Sequence, residues 1–61
     1  MKATVTKIWQ TIEHTDCILG KYQIIVLVEF NNVIVQDTIW VHAESDKNRI
    51  KIGYSYPLKG Q

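Results

Sequence analysis

Two apolar runs separated by a pair of asparagines constrain this chain more than any other feature. Residues 21–30 (KYQIIVLVEF) and 33–43 (VIVQDTIWVHA) are rich in β-branched and aromatic residues. Asn31-Asn32 between them suits a type I′ hairpin, because asparagine tolerates the positive φ that both turn positions require. That turn fixes the register. Phe30 faces Val33, Val28 faces Val35, Ile24 faces Ile39 and Tyr22 faces Val41, so one face is apolar as a core face must be. The other face pairs Glu29 with Ile34, Leu27 with Gln36, Ile25 with Thr38, Gln23 with Trp40 and Lys21 with His42, and is partly wet. Asp37 breaks the pattern by falling opposite Val26 on the core face. A carboxylate there needs hydrogen bonds, a function or displacement to an edge, and a bulge at Gln36-Asp37 is the expected solution.

Two further strands are expected, and no helix. Residues 2–13 (KATVTKIWQTIE) form the first strand. Ala3 and Val5 alternate, then Ile8 and Ile12 fall on the other parity, which predicts a bulge or bend near Lys7. Residues 14–20 (HTDCILG) read as a loop in which Gly20 supplies a positive φ. Residues 44–49 (ESDKNR) read as a polar loop. Residues 50–56 (IKIGYSY) read as the last strand, with Ile50, Ile52, Tyr54 and Tyr56 on one face, Gly53 marking a bulge or close approach, and Pro57 ending it. A short fifth strand near Leu58 would complete a barrel. The expected fold is all-β: a four- or five-stranded antiparallel barrel or strongly curved sheet, SH3-like first and OB-like second. Its expected core is Val5, Ile8, Tyr22, Ile24, Val26, Val28, Val33, Val35, Ile39, Val41, Ile50 and Ile52, with Trp9 also inside.

At 61 residues the chain has room for one domain, and it buries a smaller share of its surface than a larger protein does. Its single cysteine, Cys17, excludes an internal disulfide, and the histidines His14 and His42 without a C-x-x-C give no zinc spacing. Good packing or self-association must then supply stability, and a homodimer is one way to cover the core. The lone cysteine and the lack of a signal peptide point to a cytoplasmic setting. The longest apolar run, Ile24 to Val28, is far below the ~18 residues that span a bilayer, so no membrane partner is expected.

Charge is unevenly placed. Up to residue 46, Lys2, Lys7 and Lys21 stand against Glu13, Asp16, Glu29, Asp37, Glu44 and Asp46. Beyond it, Lys47, Arg49, Lys51 and Lys59 meet no acid. This basic C-terminal stripe either solvates an edge strand against unwanted pairing or faces an acidic or phosphate-bearing partner.

Catalysis has little support. Cys17 with His14, and Asp16 between them, is the one nucleophile–base pair, and a short loop rarely preorganises a triad. Packing beside Ile18 and Leu19 accounts for Cys17 more simply. The chain is therefore expected to be no enzyme and to use no metal or cofactor. The expected function is non-catalytic binding, foremost to a protein, by a small inhibitor or adaptor of the sort that phages and mobile elements encode. A sheet face with Trp40, Ile25 and Leu27 would be the apolar anchor, with Arg49 and Lys51 as steering charges. The alternative is a single-stranded nucleic-acid module that stacks bases on Trp40 and Tyr54 and binds phosphates with Lys21, Arg49 and Lys51.

Overall fold

A computed structural model describes residues 2–58 of the chain. Four antiparallel strands, β1 (Lys2–Glu13), β2 (Tyr22–Phe30), β3 (Val33–Val41) and β4 (Ser55–Pro57), form one strongly curled half-barrel sheet in the order β3-β2-β1-β4. The hairpin forms as the asparagines dictate. Asn31 and Asn32 have φ of 53° and 64°, and every β2–β3 pair from Phe30↔Val33 to Tyr22↔Val41 follows from that turn.

The curl originates in β1. Its pairing with β2 slips between Val5 and Lys7 and again between Ile8 and Gln10, so Thr6 and Trp9 are extra residues. The first slip is the bend expected near Lys7. Bulges bend a strand and increase its twist. Two of them within a few residues turn β1 far enough to pair with β2 along most of its length and with β4 through Lys2↔Pro57, Ala3↔Tyr56 and Thr4↔Ser55. The Thr6 hydroxyl donates to the Leu27 carbonyl oxygen at 3.1 Å and occupies an acceptor at the site of the slip.

The concave side holds the core. Ala3 and Val5 of β1 and Ile24, Val26 and Val28 of β2 are almost wholly enclosed, with Ile50 beneath them. Ile8, Phe30, Val35, Ile39, Val41, Tyr54, Tyr56 and Leu58 pack around this centre. Tyr22 is also buried, with the ammonium groups of Lys47 and Lys21 at 5.2 and 5.6 Å from its ring centre. Of the expected core, Val33 and Ile52 lie outside, at 56% and 70% exposure, and Trp9 is 62% exposed. Val33 sits at the hairpin tip beyond the curl. Trp9 is the extra residue of the second bulge, which takes it off the inward parity.

The segment after β3 differs most from expectation. Residues 44–49 are not a loop but a short helix, α1 (Glu44–Arg49). Glu44 and Asp46 in its first turn and Lys47 and Arg49 in its last complement the helix dipole. It buries none of its own residues. Lys47 over Tyr22 and Ile50 in the core hold it in place. The last strand is also shorter than residues 50–56. Tyr54 N–H donates to the Lys51 carbonyl at 2.9 Å, closing a turn with Gly53 at φ 96°, and Ile52 stands at its exposed corner. No fifth strand forms near Leu58 among the described residues, and Lys59 lies outside them.

The two glycines exchange their expected roles. Gly53 has open space around it and is needed for its positive φ. Gly20 has no positive φ; a Cβ there would lie 2.9 Å from the Val41 carbonyl oxygen, so the loop needs glycine to approach the end of β3. Asp16, at φ 61°, makes the left-handed step in that loop. Urea denaturation separates these positions. Ile24→Ala is expected to cost ~2–5 kcal/mol, as for a large-to-small core change, and Gly20→Ala ~1–3 kcal/mol from overpacking against backbone. Ile52→Ala is expected to stay within ~0.5 kcal/mol, as exposed substitutions do; a larger loss would place Ile52 in the core.

Candidate functional site

Two surfaces follow from the curl. The first is the convex face of β1, β2 and β3. Ile25 pairs with Thr38, Leu27 with Gln36 and Gln23 with Trp40, so the three expected apolar anchors share this face. Trp40 lies diagonally from Ile25, within reach of a large aromatic. Each is half-buried, because the face is furnished by its neighbours rather than by a second layer. The His14 ring lies 5.2 Å from the Trp40 ring, and His14 Nε2 is 2.8 Å from Gln23 Oε1. Trp9 and Gln10 meet Ile25 and Gln36 around a shallow hollow. Ile34 adds a further apolar side chain, 54% exposed. Trp9 joins this surface although its sequence context suggested the core; the phase change in β1 is the signal that places it outside.

Lys7, cross-strand from Leu27, joins it, but the basic residues expected at the site do not. Arg49 ends α1 and Lys51 begins the turn after it, flanking Ile50, whose side chain is in the core. Lys47 and Arg49 therefore belong to a helix and Lys51 to a turn, where a polar loop and the last strand were expected. Lys21 lies just before β2, 3.9 Å from Glu13 in an exposed ion pair. Tyr54 packs on the core side with its ring stacked against Tyr56 at 6.0 Å. Trp40 and Tyr54 thus occupy opposite sides of the sheet. His14, Asp16, Cys17 and His42 do gather around one hollow with Thr15 and Lys21. Among the described residues, no three His, Cys, Asp or Glu side chains form a metal-binding group, and no helix is long and apolar enough to cross a membrane.

The second surface is the seam between β3 and β4, the two outer strands of the curled sheet. A cleft of about 400 Å³ runs between them, lined by Asp37, Thr38, Ile39 and Trp40 on one side and Tyr56, Pro57 and Leu58 on the other. Successive strand side chains point to opposite faces. Four consecutive β3 residues share one cleft because it follows the strand's edge. In a two-residue hairpin the pair flanking the turn is hydrogen-bonded, and bonded and non-bonded pairs then alternate. Val33, Val35, Asp37, Ile39 and Val41 therefore turn their backbone groups to β2. Ile34, Gln36, Thr38 and Trp40 turn theirs outward.

Asp37 governs this edge. No bulge relocates it: the register runs unbroken from Leu27↔Gln36 through Val26↔Asp37 to Ile25↔Thr38. Hydrogen bonds satisfy it instead. Its Oδ1 accepts from the outward Thr38 N–H at 2.9 Å, and its Oδ2 accepts from the Tyr56 hydroxyl at 2.5 Å. One carboxylate caps β3's edge and ties it across the gap to β4. Sequence reasoning marked Asp37 as anomalous but missed Tyr56 as its partner; a hydroxyl on the same expected core face was the available signal.

Burial pushes the Tyr56 hydroxyl well above the ordinary tyrosine range, and the hydrogen bond to Asp37 and the charge of Asp37 push it further. The folded state therefore keeps a proton that the unfolded chain releases near pH ~10. The resulting stability is complete below that pH and is lost as pH rises from there toward the folded value. Denaturation between neutral and strongly alkaline pH is expected to show a steeper loss above about pH 10 for the natural chain than for Tyr56→Phe. Equal slopes would show that the bridge does not hold that proton. Comparison of the chain with protein-family models, curated proteins and solved structures gives no match.

Proposed function

We propose that this chain is a non-catalytic protein-binding module, an inhibitor or adaptor that engages its partner through the convex face of the sheet. The observation that carries this reading is Trp9 at 62% exposure, on a face shared with Ile25, Leu27, Ile34 and Trp40. Exposed tryptophan with aliphatic neighbours suits a partner's apolar surface, and tryptophan is enriched among residues that dominate binding energy. The polar residues between them, Gln10, Gln23, Gln36 and Thr38, supply hydrogen-bonding groups, and Lys7 beside Leu27 and Glu29 beside Ile34 add one charge of each sign.

The nucleic-acid alternative draws less from the geometry. A single-strand binder lines one groove with stacking rings and cations. Here Trp40 and Tyr54 lie on opposite sides, Tyr54 is stacked on Tyr56, and Arg49 and Lys51 sit with the segment that covers the core.

Affinity capture from lysate, repeated after nuclease digestion and at high salt, tests the proposal. A captured protein should persist under both treatments, because apolar contact depends weakly on salt and phosphate contact depends on it steeply. The doubly substituted Trp9→Ala, Ile34→Lys chain should lose that protein while each exposed change alters stability by no more than ~0.5 kcal/mol. Capture that vanishes with nuclease or salt, or that the double variant retains, contradicts this reading.

A further inference from the structure

We propose that the seam between β3 and β4 takes an extended strand of a partner polypeptide, one that carries a lysine or arginine where it meets Asp37. The inference rests on the protein-binding reading above and adds a second, chemically defined contact to it. Three observations support it.

The first is the nature of the walls. The seam is bounded by strand edges, and the backbone groups of Ile34, Gln36 and Thr38 face out along β3. A row of alternating N–H and C=O groups is complementary to another extended backbone, which is how sheets accept added strands. The second is width. The two edges are joined by a tyrosine side chain reaching a carboxylate, not by a backbone ladder. A cleft of about 400 Å³ lies between them, whereas strands paired at ~4.8 Å leave no such space. A strand laid in the gap would pair with β3 and extend toward β4, with Ile39 and Leu58 offering apolar contact to its alternate side chains.

The third is charge. Asp37 is the single formal charge on β3 and β4. Its two donors, a backbone amide and a phenol, are both neutral, and no cation pairs with it among the described residues. In the free chain this carboxylate caps Thr38 N–H. An inward-pointing charge on an edge strand is a device that discourages indiscriminate pairing. A guest strand must take the Thr38 N–H with its own carbonyl and give the displaced Asp37 Oδ1 a new partner. A guest lysine or arginine supplies that partner through a charge-assisted bond, and an uncharged strand does not. The same argument disfavours a second copy joined β3 to β3, because residues 33–41 contain no lysine or arginine.

Selection of short linear peptides displayed on phage against the full chain, followed by amide chemical-shift mapping with the enriched peptide, tests this. Alternating apolar peptides with one lysine or arginine should emerge. The enriched peptide should shift the amides of Gln36, Thr38 and Tyr56. Asp37→Asn keeps Oδ1 to accept from the Thr38 N–H, turns the other bond round so that its amide donates to the Tyr56 hydroxyl oxygen, and should weaken binding roughly tenfold, the effect of one charge-assisted contact. Tyr56→Phe, which frees the carboxylate without removing it, should retain binding or tighten it. Peptides without a cation preference, or equal affinity for the Asp37→Asn chain, overturn the inference. Shifts confined to Trp9, Ile25 and Leu27 also overturn it, while leaving the convex-face reading intact. Failure to enrich any peptide overturns it as well. The lysate capture described above separately decides whether the protein-binding reading falls too.

Discussion

The fold depends on β1 changing direction twice. A flat four-stranded sheet of this size would leave one apolar face open, and 61 residues offer no second layer to cover it. The extra residues Thr6 and Trp9 curl β1 so that the sheet wraps its own core, with Ala3, Val5, Ile24, Val26 and Val28 at the centre. The short α1–β4 segment then needs to contribute only Ile50, Tyr54, Tyr56 and Leu58 to close the concave side. Trp9 is on the surface for the same reason that the core is closed.

The curl has a second consequence. It brings the outer strands toward one another without pairing them, so the half-barrel ends in a seam. Asp37 and Tyr56 span that seam with a side-chain bond where a closed barrel would have a backbone ladder. A half-buried carboxylate with both oxygens satisfied adds specificity to a small core, whereas the same group left unpaired would weaken it. The bond therefore reads as a structural tie and as a guard on β3's edge. The inferred guest strand would exploit both roles.

Much of this was legible in the residues. The asparagine pair sets the β2–β3 register residue by residue, because a two-residue turn leaves no freedom in which positions oppose. The parity change between Val5 and Ile8 announces the bend in β1. What was not legible has specific causes. α1 has no apolar periodicity, and a helix of its length does not form on its own; tertiary contacts at Tyr22 and Ile50 create it. Ile52 alternates with Ile50 as a strand residue would, but the glycine after it makes a turn. Asp37 looked displaced because its partner, Tyr56, lies nineteen residues away across the gap, a distance over which sequence pattern carries no register. At the candidate site, the grouping of Trp40, Ile25 and Leu27 was readable from the hairpin. The separation of Arg49, Lys51 and Tyr54 from them was not, because it depends on where α1 leads the chain.

Amide hydrogen exchange along β3 tests the central claim, that this strand's outer edge is unpaired and guarded by Asp37, most directly. Val35, Asp37, Ile39 and Val41 should be protected through their bonds to β2. Ile34 and Gln36 should exchange quickly, and Thr38 should fall between them because the carboxylate caps it. Uniform protection along β3 would contradict the account, since it would mean that the edge is already paired.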